Sequence, residues 1–390
     1  MIKVIRNGIV YSPEYLGKKD ILILCDKIAE IGDKIDIIGI ELEEYDASDC
    51  FVVPGFIDSH VHIAGAGGEG GPRTRTPELP LSAYIEAGIT TVIGCLGTDG
   101  FTRNVESVLM RAKALKEEGI SCWIYTGAYQ VPTPTITGEI GKDLALIDEI
   151  IGVGEIAIAD HRSSWPTPNE LLRITEHARV GAMLGNKAGI VNIHIGDQHE
   201  PFKILYDVIN LSNNMLKLTQ FLPTHCNRND YTFFSAIEYL KKGGFIDITT
   251  SAYKYFPEYE IKPSKCLKII YDQIGNLDNV SFSSDAGGSL PAFDANGNLI
   301  RLEMGLPKAN YNEFIDAITI ENLPFNEVLK VLTTNPAKIL KLNNKGKIEK
   351  GYDADILIIK NYKLNSVIAK GSFLMKDEVI LKKGTYEYIF

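Results

Sequence analysis

The chain has 390 residues, a formal net charge of -10 and a pI near 5.3. That acidic balance excludes nucleic acid and anionic membrane as partners, since both demand a basic surface. With 45% hydrophobic and 23% charged residues, it is long enough for one large domain and a smaller one.

The first fifty residues read as short alternating runs broken by turn residues, KVIRNGIVYS, KDILILCDKIAEIG and DCFVV, and predict small antiparallel strands. The opening MIKVIRNGIVYSPE lacks the apolar stretch of a secretory signal. No run reaches the ~18 apolar residues that a membrane span needs. Cysteines 25, 50, 95, 122, 226 and 266 are scattered, without a C-x-x-C, and read as reduced thiols. A cytoplasmic protein is expected.

From residue 51 the texture changes. Apolar runs recur between helix-like stretches: FVVPGFIDSHVH, TTVIGCLG, SCWIYTGAY, EIAIADHR, GIVNIHIG, QFLPTHC, GFIDITTS and NVSFSSDAGG. Between them, NVESVLMRAKALKEEG carries Asn104 as a cap and Gly119 as a stop. PNELLRITEHARVGAML and YTFFSAIEYLKKGG have the same periodicity. Apolar strands alternating with helices predict a parallel sheet covered on both faces. Eight such units over roughly 290 residues fit an α/β fold of the (β/α)8 TIM-barrel type. The last fifty residues, with KGKIEKGYDADILIIK and NSVIAKGSFLMKDEVILKKG, return to the texture of the first. The expected organisation is a TIM-type catalytic domain over 53–340, with 1–52 plus 341–390 forming a small β-sandwich.

Active sites of such barrels lie at the C-terminal strand ends, and the polar residues fall there. His60 and His62 end the first run, on one face of a strand. An isolated H-x-H is more often a pair of surface histidines, and a lone strand histidine a bonded core residue. Here, however, Glu155 lies in the fourth run, and His194, His225 and Asp285 end the fifth, sixth and eighth. Four histidines and two carboxylates at one rim are a ligand set for Zn²⁺ or a similar metal. Six ligands exceed one tetrahedral ion and suit two ions sharing a carboxylate and a water. His161 receives no role, and His177 and His199 read as surface residues. The loop AGAGGEGG lacks the Gly-Lys-Ser/Thr of a phosphate cradle and is expected to be a flexible lid carrying Glu69.

This pattern resembles the amidohydrolase superfamily, and TTNPAKIL with GKIEKGYDADILII is similar to that superfamily's return into its small β domain. Within it, GGEGGPRTRTPE, CLGTDG, YTGAYQVPTPTITG, ADHRSSWP, PTHCNRN and SSDAGGSLP resemble the isoaspartyl (β-aspartyl) dipeptidases. The resemblance implies a metal-dependent homo-oligomeric enzyme that hydrolyses the side-chain amide of β-aspartyl dipeptides to aspartate and an amino acid. It makes His60, His62, His194, His225 and Asp285 metal ligands, and Glu69, Thr98, Tyr129, Arg162, Arg228 and Ser289 the substrate pocket. Tyr129 and Asp285 would be catalytic, the first donating to the oxyanion and the second shuttling a proton.

One position departs from the family, which has a carboxylated lysine bridging the metals. In GVGEIAIADHR the carboxylate falls on Glu155 instead, so two zinc ions per subunit would be bridged by Glu155 and a hydroxide. Glutamate reaches roughly 3–4 Å less far than a lysine carbamate, and an extra residue near Gly154 could make up the deficit as a bulge. Two alternatives stand beside this reading. One is hydrolysis of cyclic or N-acyl amides, as in the dihydroorotase and hydantoinase branches. The other is a non-catalytic scaffold of the same fold. Glu69 separates the first from a dipeptidase, because a cyclic imide has no ammonium for it to hold.

Overall fold

The computed structural model describes residues 2–37, 39, 41–293 and 298–388. The outer limits expected for the small domain, Met1 and Phe390, lie outside these. Both ends of the chain contribute to one nine-stranded sheet. Its seam is the antiparallel pairing of Cys50–Pro54 with Ile356–Lys360, where Val52 faces Ile358. Alternation along these strands puts Ile5, Ile21, Ile23, Val52, Ile356 and Ile358 into one buried cluster, while Val4, Leu22 and Ile35 form another.

The middle of the chain follows the strand–helix alternation. Phe56–Val61, Ile89–Gly94, Ser121–Thr126, Ile150–Ile158, Ile190–Ile195 and Phe221–Thr224 form a curled six-stranded sheet in chain order, parallel throughout. These strands are buried along nearly their whole length, as a parallel sheet requires. Ile246–Thr249 and Val280–Ser283 make a second, two-stranded parallel sheet. Backbone bonds link it to both edges of the first: Cys226 N donates to Asp247 O at 3.1 Å, and Asp285 N to His60 O at 3.1 Å.

Local chemistry sets the helix ends. Asn104 accepts from Ser107 N and starts Val105–Glu118, which stops at Gly119 in a left-handed conformation. Thr167 and Glu170 form a capping box at the start of Pro168–Gly185. After Val280–Ser283 an antiparallel hairpin, Ser289–Phe293 with Leu299–Met304, folds over the strand ends. Below the rim, Asp247 accepts from Ser281, Ser283 and Thr224 hydroxyls at 2.6, 2.5 and 2.7 Å, so the polar interior is internally bonded.

Candidate metal centre and substrate pocket

His60 is the last residue but one of its strand and His62 follows the strand's end, with the backbone of this stretch fixed to the eighth run by His62 N donating to Ala286 O at 2.8 Å. Glu155 sits at the centre of the histidines, 1% exposed. Its Oε1 lies 3.5 Å from His62 Nε2; its Oε2 lies 3.4 Å from His60 Nε2, 3.2 Å from His194 Nδ1 and 3.5 Å from His225 Nε2. Asp285 Oδ1 is 3.0 Å from His62 Nε2 and has no hydrogen-bond partner among the described residues. A Cβ at position 97 would come within 2.8 Å of His62 Cε1 and 3.2 Å of Glu155 Oε1; Gly97 keeps that room open.

Three imidazoles are oriented from behind. The second nitrogen of His60 donates to Asn192 Oδ1 at 3.1 Å, that of His225 to Thr249 Oγ1 at 2.7 Å, and that of His194 to Asp160 Oδ2 at 2.9 Å. Each bond leaves the other nitrogen aimed at Glu155, the arrangement that fixes a ligand tautomer. Burial would raise the Glu155 carboxyl, yet His60 and contacts from His194 and His225 hold it well below its ordinary range. Burial likewise opposes ionisation of Asp285, and His62 and His225 bring it below its ordinary value. Burial pushes His225 down to about 3, giving the neutral imidazole that a metal ligand requires.

The donor atoms form two groups, His60, His62, Cys95 and Glu155, and Glu155, His194 and His225, each within 4.8 Å. Their N···O separations of 3.2–3.5 Å exceed a charge-assisted hydrogen bond of about 2.7–2.9 Å. They match the roughly 3.3–3.5 Å between two ligands on one tetrahedral ion with bonds of 2.0–2.2 Å. The residues therefore fit a pair of divalent ions.

The cluster opens into a cavity of about 730 Å³, lined by all six residues expected to bind substrate: Glu69, Thr98, Tyr129, Arg162, Arg228 and Ser289. Ser289 donates to Glu69 at 2.8 Å, and Arg162 Nη1 lies 3.7 Å from Glu69. Arg162 itself is clamped on Asp160, through Nε at 3.0 Å and Nη2 at 2.9 Å. Arg228 is freer, its buried Nε having no hydrogen-bond partner. Tyr129 OH stands 2.7 Å from His194 Nδ1; burial keeps this phenol protonated, far above its ordinary value. Thr98 holds the pocket wall, its carbonyl accepting from Gln130 at 3.0 Å.

The glycine loop is not a free lid. Thr76 Oγ1 accepts from Ala66 N at 2.7 Å and donates to Gly287 O at 2.6 Å, and Arg103 bonds to Ala66 O and Thr76 O at 3.0 and 3.2 Å. These partners pin the loop and hold Glu69 in place. His199 bonds to Tyr231 at 3.0 Å, and His177 lies on the exposed side of Pro168–Gly185. His161, 3.6 Å from Asp160, has a side chain 66% exposed.

Three residues at the site were not singled out by the sequence. Cys95 follows the second strand in GCLG, at the same rim as the histidines. Asp160, two residues before Arg162, joins Arg162 to His194. Glu260 lines the cavity with a buried Oε2 that has no hydrogen-bond partner among the described residues, and burial pushes its carboxyl up to about 8.

Comparison with known proteins assigns the family. A β-aspartyl dipeptidase from Fervidobacterium islandicum AW-1, solved in complex with β-Asp-Leu dipeptide, is 46% identical, with a TM-score of 0.92 and 97% of each chain covered. This chain belongs to the β-aspartyl dipeptidase family. The wider family model, Amidohydrolase family, matches residues 269–382. A dihydropyrimidinase from Brevibacillus agri NCHU1002 shares the fold, at 14% identity, a TM-score of 0.69 and 98% and 97% coverage of the two chains. A dihydroorotase from Macrococcus caseolyticus is 30% identical over 161 residues, 41% of this chain and 35%, about a third, of that protein.

Proposed function

We propose that the protein hydrolyses the side-chain amide of β-aspartyl dipeptides in a metal-dependent reaction, releasing aspartate and an amino acid. The observation that carries this is the pairing of two donor groups sharing Glu155 with a cavity holding one carboxylate and two guanidinium groups. An isoaspartyl residue offers the complementary charges: a free ammonium and a free α-carboxylate flank its scissile amide, and the leaving residue adds a second carboxylate.

His60, His62, His194, His225 and Asp285 would hold the ions and Glu155 would bridge them, with zinc the metal that this nitrogen and oxygen set suits. When bound, two divalent ions would supply hydroxide near neutral pH and would polarise the amide carbonyl. Asp285 accepts the water's proton and returns it to the departing nitrogen, which is too basic to leave unprotonated. Tyr129, neutral in its buried setting, donates to the developing oxyanion. Glu69 accepts from the substrate ammonium, with Ser289 orienting it. Arg162 and Arg228 offer planar donor forks to the carboxylates, and Thr98 shapes the wall between them.

The finer architecture belongs to the same proposal: a closed (β/α)8 barrel over 53–340 and a small β-sandwich from 1–52 plus 341–390. The bonds Cys226 N to Asp247 O and Asp285 N to His60 O support closure, and the seam of Cys50–Pro54 with Ile356–Lys360 supports a small domain drawn from both ends. A homo-oligomer is carried over from the sequence resemblance, and a cytoplasmic location from the scattered cysteines read as reduced thiols; no helix among the described residues is long and apolar enough to cross a membrane.

The second reading, a cyclic amide hydrolase, draws on the similarity to the dihydroorotase. Glu69 disfavours it, being fixed by Ser289 at a place where a cyclic imide brings no ammonium to meet it. Turnover of β-Asp-Leu, α-Asp-Leu and dihydroorotate by one preparation separates the readings. Hydrolysis of β-Asp-Leu alone is expected. Equal rates on the α and β isomers would remove the basis for the Glu69 and arginine roles.

A further inference from the structure

We infer that Cys95 is a thiolate ligand of the ion held by His60 and His62, so that the two metal positions differ in chemistry. One position would contain sulfur and the other only nitrogen and oxygen. This rests on the two-ion reading above and adds a donor that the family's ligand pattern lacks.

Cys95 follows the strand Ile89–Gly94, beside the strand carrying His60, and Cys95 N donates to Val61 O at 3.0 Å. That bond sets the residue level with the H-x-H. The side chain is fully buried, with Sγ 3.6 Å from His60 Nε2 and 3.8 Å from His62 Nδ1. Zinc bonds of about 2.3 Å to sulfur and 2.0–2.1 Å to nitrogen, at the tetrahedral angle, put the two ligand atoms about 3.6 Å apart. The observed Sγ–Nε2 separation is that of two donors sharing one ion. Beside them, the buried Asp285 Oδ1 has no hydrogen-bond partner among the described residues while lying 3.7 Å from the same His60 nitrogen.

The competing account is a buried cysteine acting as a small apolar side chain with a weak donor. Cys122, Cys226 and Cys266 fit that account, each sulfur bonding to a backbone carbonyl at 3.7, 3.3 and 3.8 Å. Cys95 also reaches a carbonyl, Val61 O at 3.6 Å, but it alone of these four is grouped with two imidazoles and a carboxylate. A thiolate also makes chemical sense here. Glutamate brings the bridge no closer than its two methylenes allow, and sulfur from the neighbouring strand joins His60, His62 and Glu155 as a fourth donor around the first ion, with Asp285 beside them. Soft sulfur favours zinc over magnesium or manganese at that position, leaving the His194/His225 position the more exchangeable.

X-ray absorption at the zinc edge of the fully loaded wild-type protein tests this directly. The expected result is a sulfur shell at about 2.3 Å, with roughly half an equivalent of sulfur per zinc. Cys95→Ser should lose that shell and weaken one of the two ions at least tenfold in chelator competition, leaving the other unchanged. Two bound zinc ions with only nitrogen and oxygen neighbours would overturn the proposal and leave the hydrolase reading intact. Unaltered affinity for both ions in Cys95→Ser would overturn it too. A wild-type protein that binds no divalent metal would overturn both.

Discussion

Glu155→Gln keeps the shape of the side chain and removes one negative charge where four imidazoles converge at 3.2–3.5 Å. A four-ligand zinc site is worth about 10–16 kcal/mol, so an equal share is ~2.5–4 kcal/mol per ligand, or ~10²–10³-fold in affinity. Glu155 belongs to both donor groups, and an amide offers one oxygen where the carboxylate offers two. One position should therefore lose its Glu155 oxygen entirely and the other keep a weaker, neutral one. The variant should retain at most one ion after dialysis, with turnover reduced at least ~10²-fold. Metal content by mass spectrometry, chelator competition and peptide turnover read this out. The companion assay is reactivation of metal-stripped wild type in CO₂-free buffer. A glutamate needs no CO₂ to become a carboxylate, so metal alone should restore full activity. Reactivation that requires bicarbonate would mean a carbamate elsewhere supplies the bridge, and two tightly held ions in Glu155→Gln would refute the shared-ligand geometry.

Asp285→Asn should reduce kcat by about 10²–10⁴-fold, the usual worth of a proton shuttle, with an unchanged thermal midpoint; activity above a tenth of wild type would contradict the role. Glu69→Gln should raise KM by about 10–100-fold, the loss of a charge-assisted bond worth ~1.5–3 kcal/mol, at normal metal content. A fall in bound metal would make Glu69 a ligand instead. Glu260 gives a pH signature: burial raises its carboxyl to about 8, so it is neutral below that pH and anionic above it. As an anion close to Arg228 it competes with substrate carboxylate, so KM should climb above pH 8 in the wild type and stay flat in Glu260→Gln. Identical KM profiles would exclude that competition.

The alternation of strands and helices was legible because the parallel strands are buried on both faces, and their apolar runs leave little doubt about period. The clustering of the four histidines was legible for a related reason: each lies at or near the end of such a run. What the sequence hid depends on distant partners. Glycines in AGAGGEGG suggest freedom, but Thr76 and Arg103, supplied from outside that stretch, remove it. Asp160 looks like an ordinary loop carboxylate until the fold brings His194 against it. Cys95 sits in an apolar run indistinguishable in texture from those holding Cys122 and Cys226. The hairpin Ser289–Met304 has mostly part-exposed residues on its second strand, so no burial pattern announced it.

The short glutamate that stands where the resemblance implies a longer lysine carbamate is accommodated in the backbone. Along the pairing of Ile190–Ile195 with Ile150–Ile158, Ile190 faces Gly152 and Val191 faces Val153, but Ile193 faces Ile156. Between these pairs Asn192 alone opposes two residues of the other strand, so the extra residue falls at Gly154–Glu155. A bulge of this kind re-aims a side chain locally without shifting the rest of the sheet. Gly154 makes the close approach possible: its φ is +147°, and a Cβ there would lie 2.6 Å from Asn192 O. Asn192 is the residue whose side chain accepts from His60. The same contact therefore presses the bulged strand against its neighbour, carries Glu155 toward the histidines, and keeps the orienting partner of His60 in register. Read this way, GVGE is a single device: glycine permits the approach, the added residue provides the reach, and the glutamate arrives where a longer side chain would otherwise be needed.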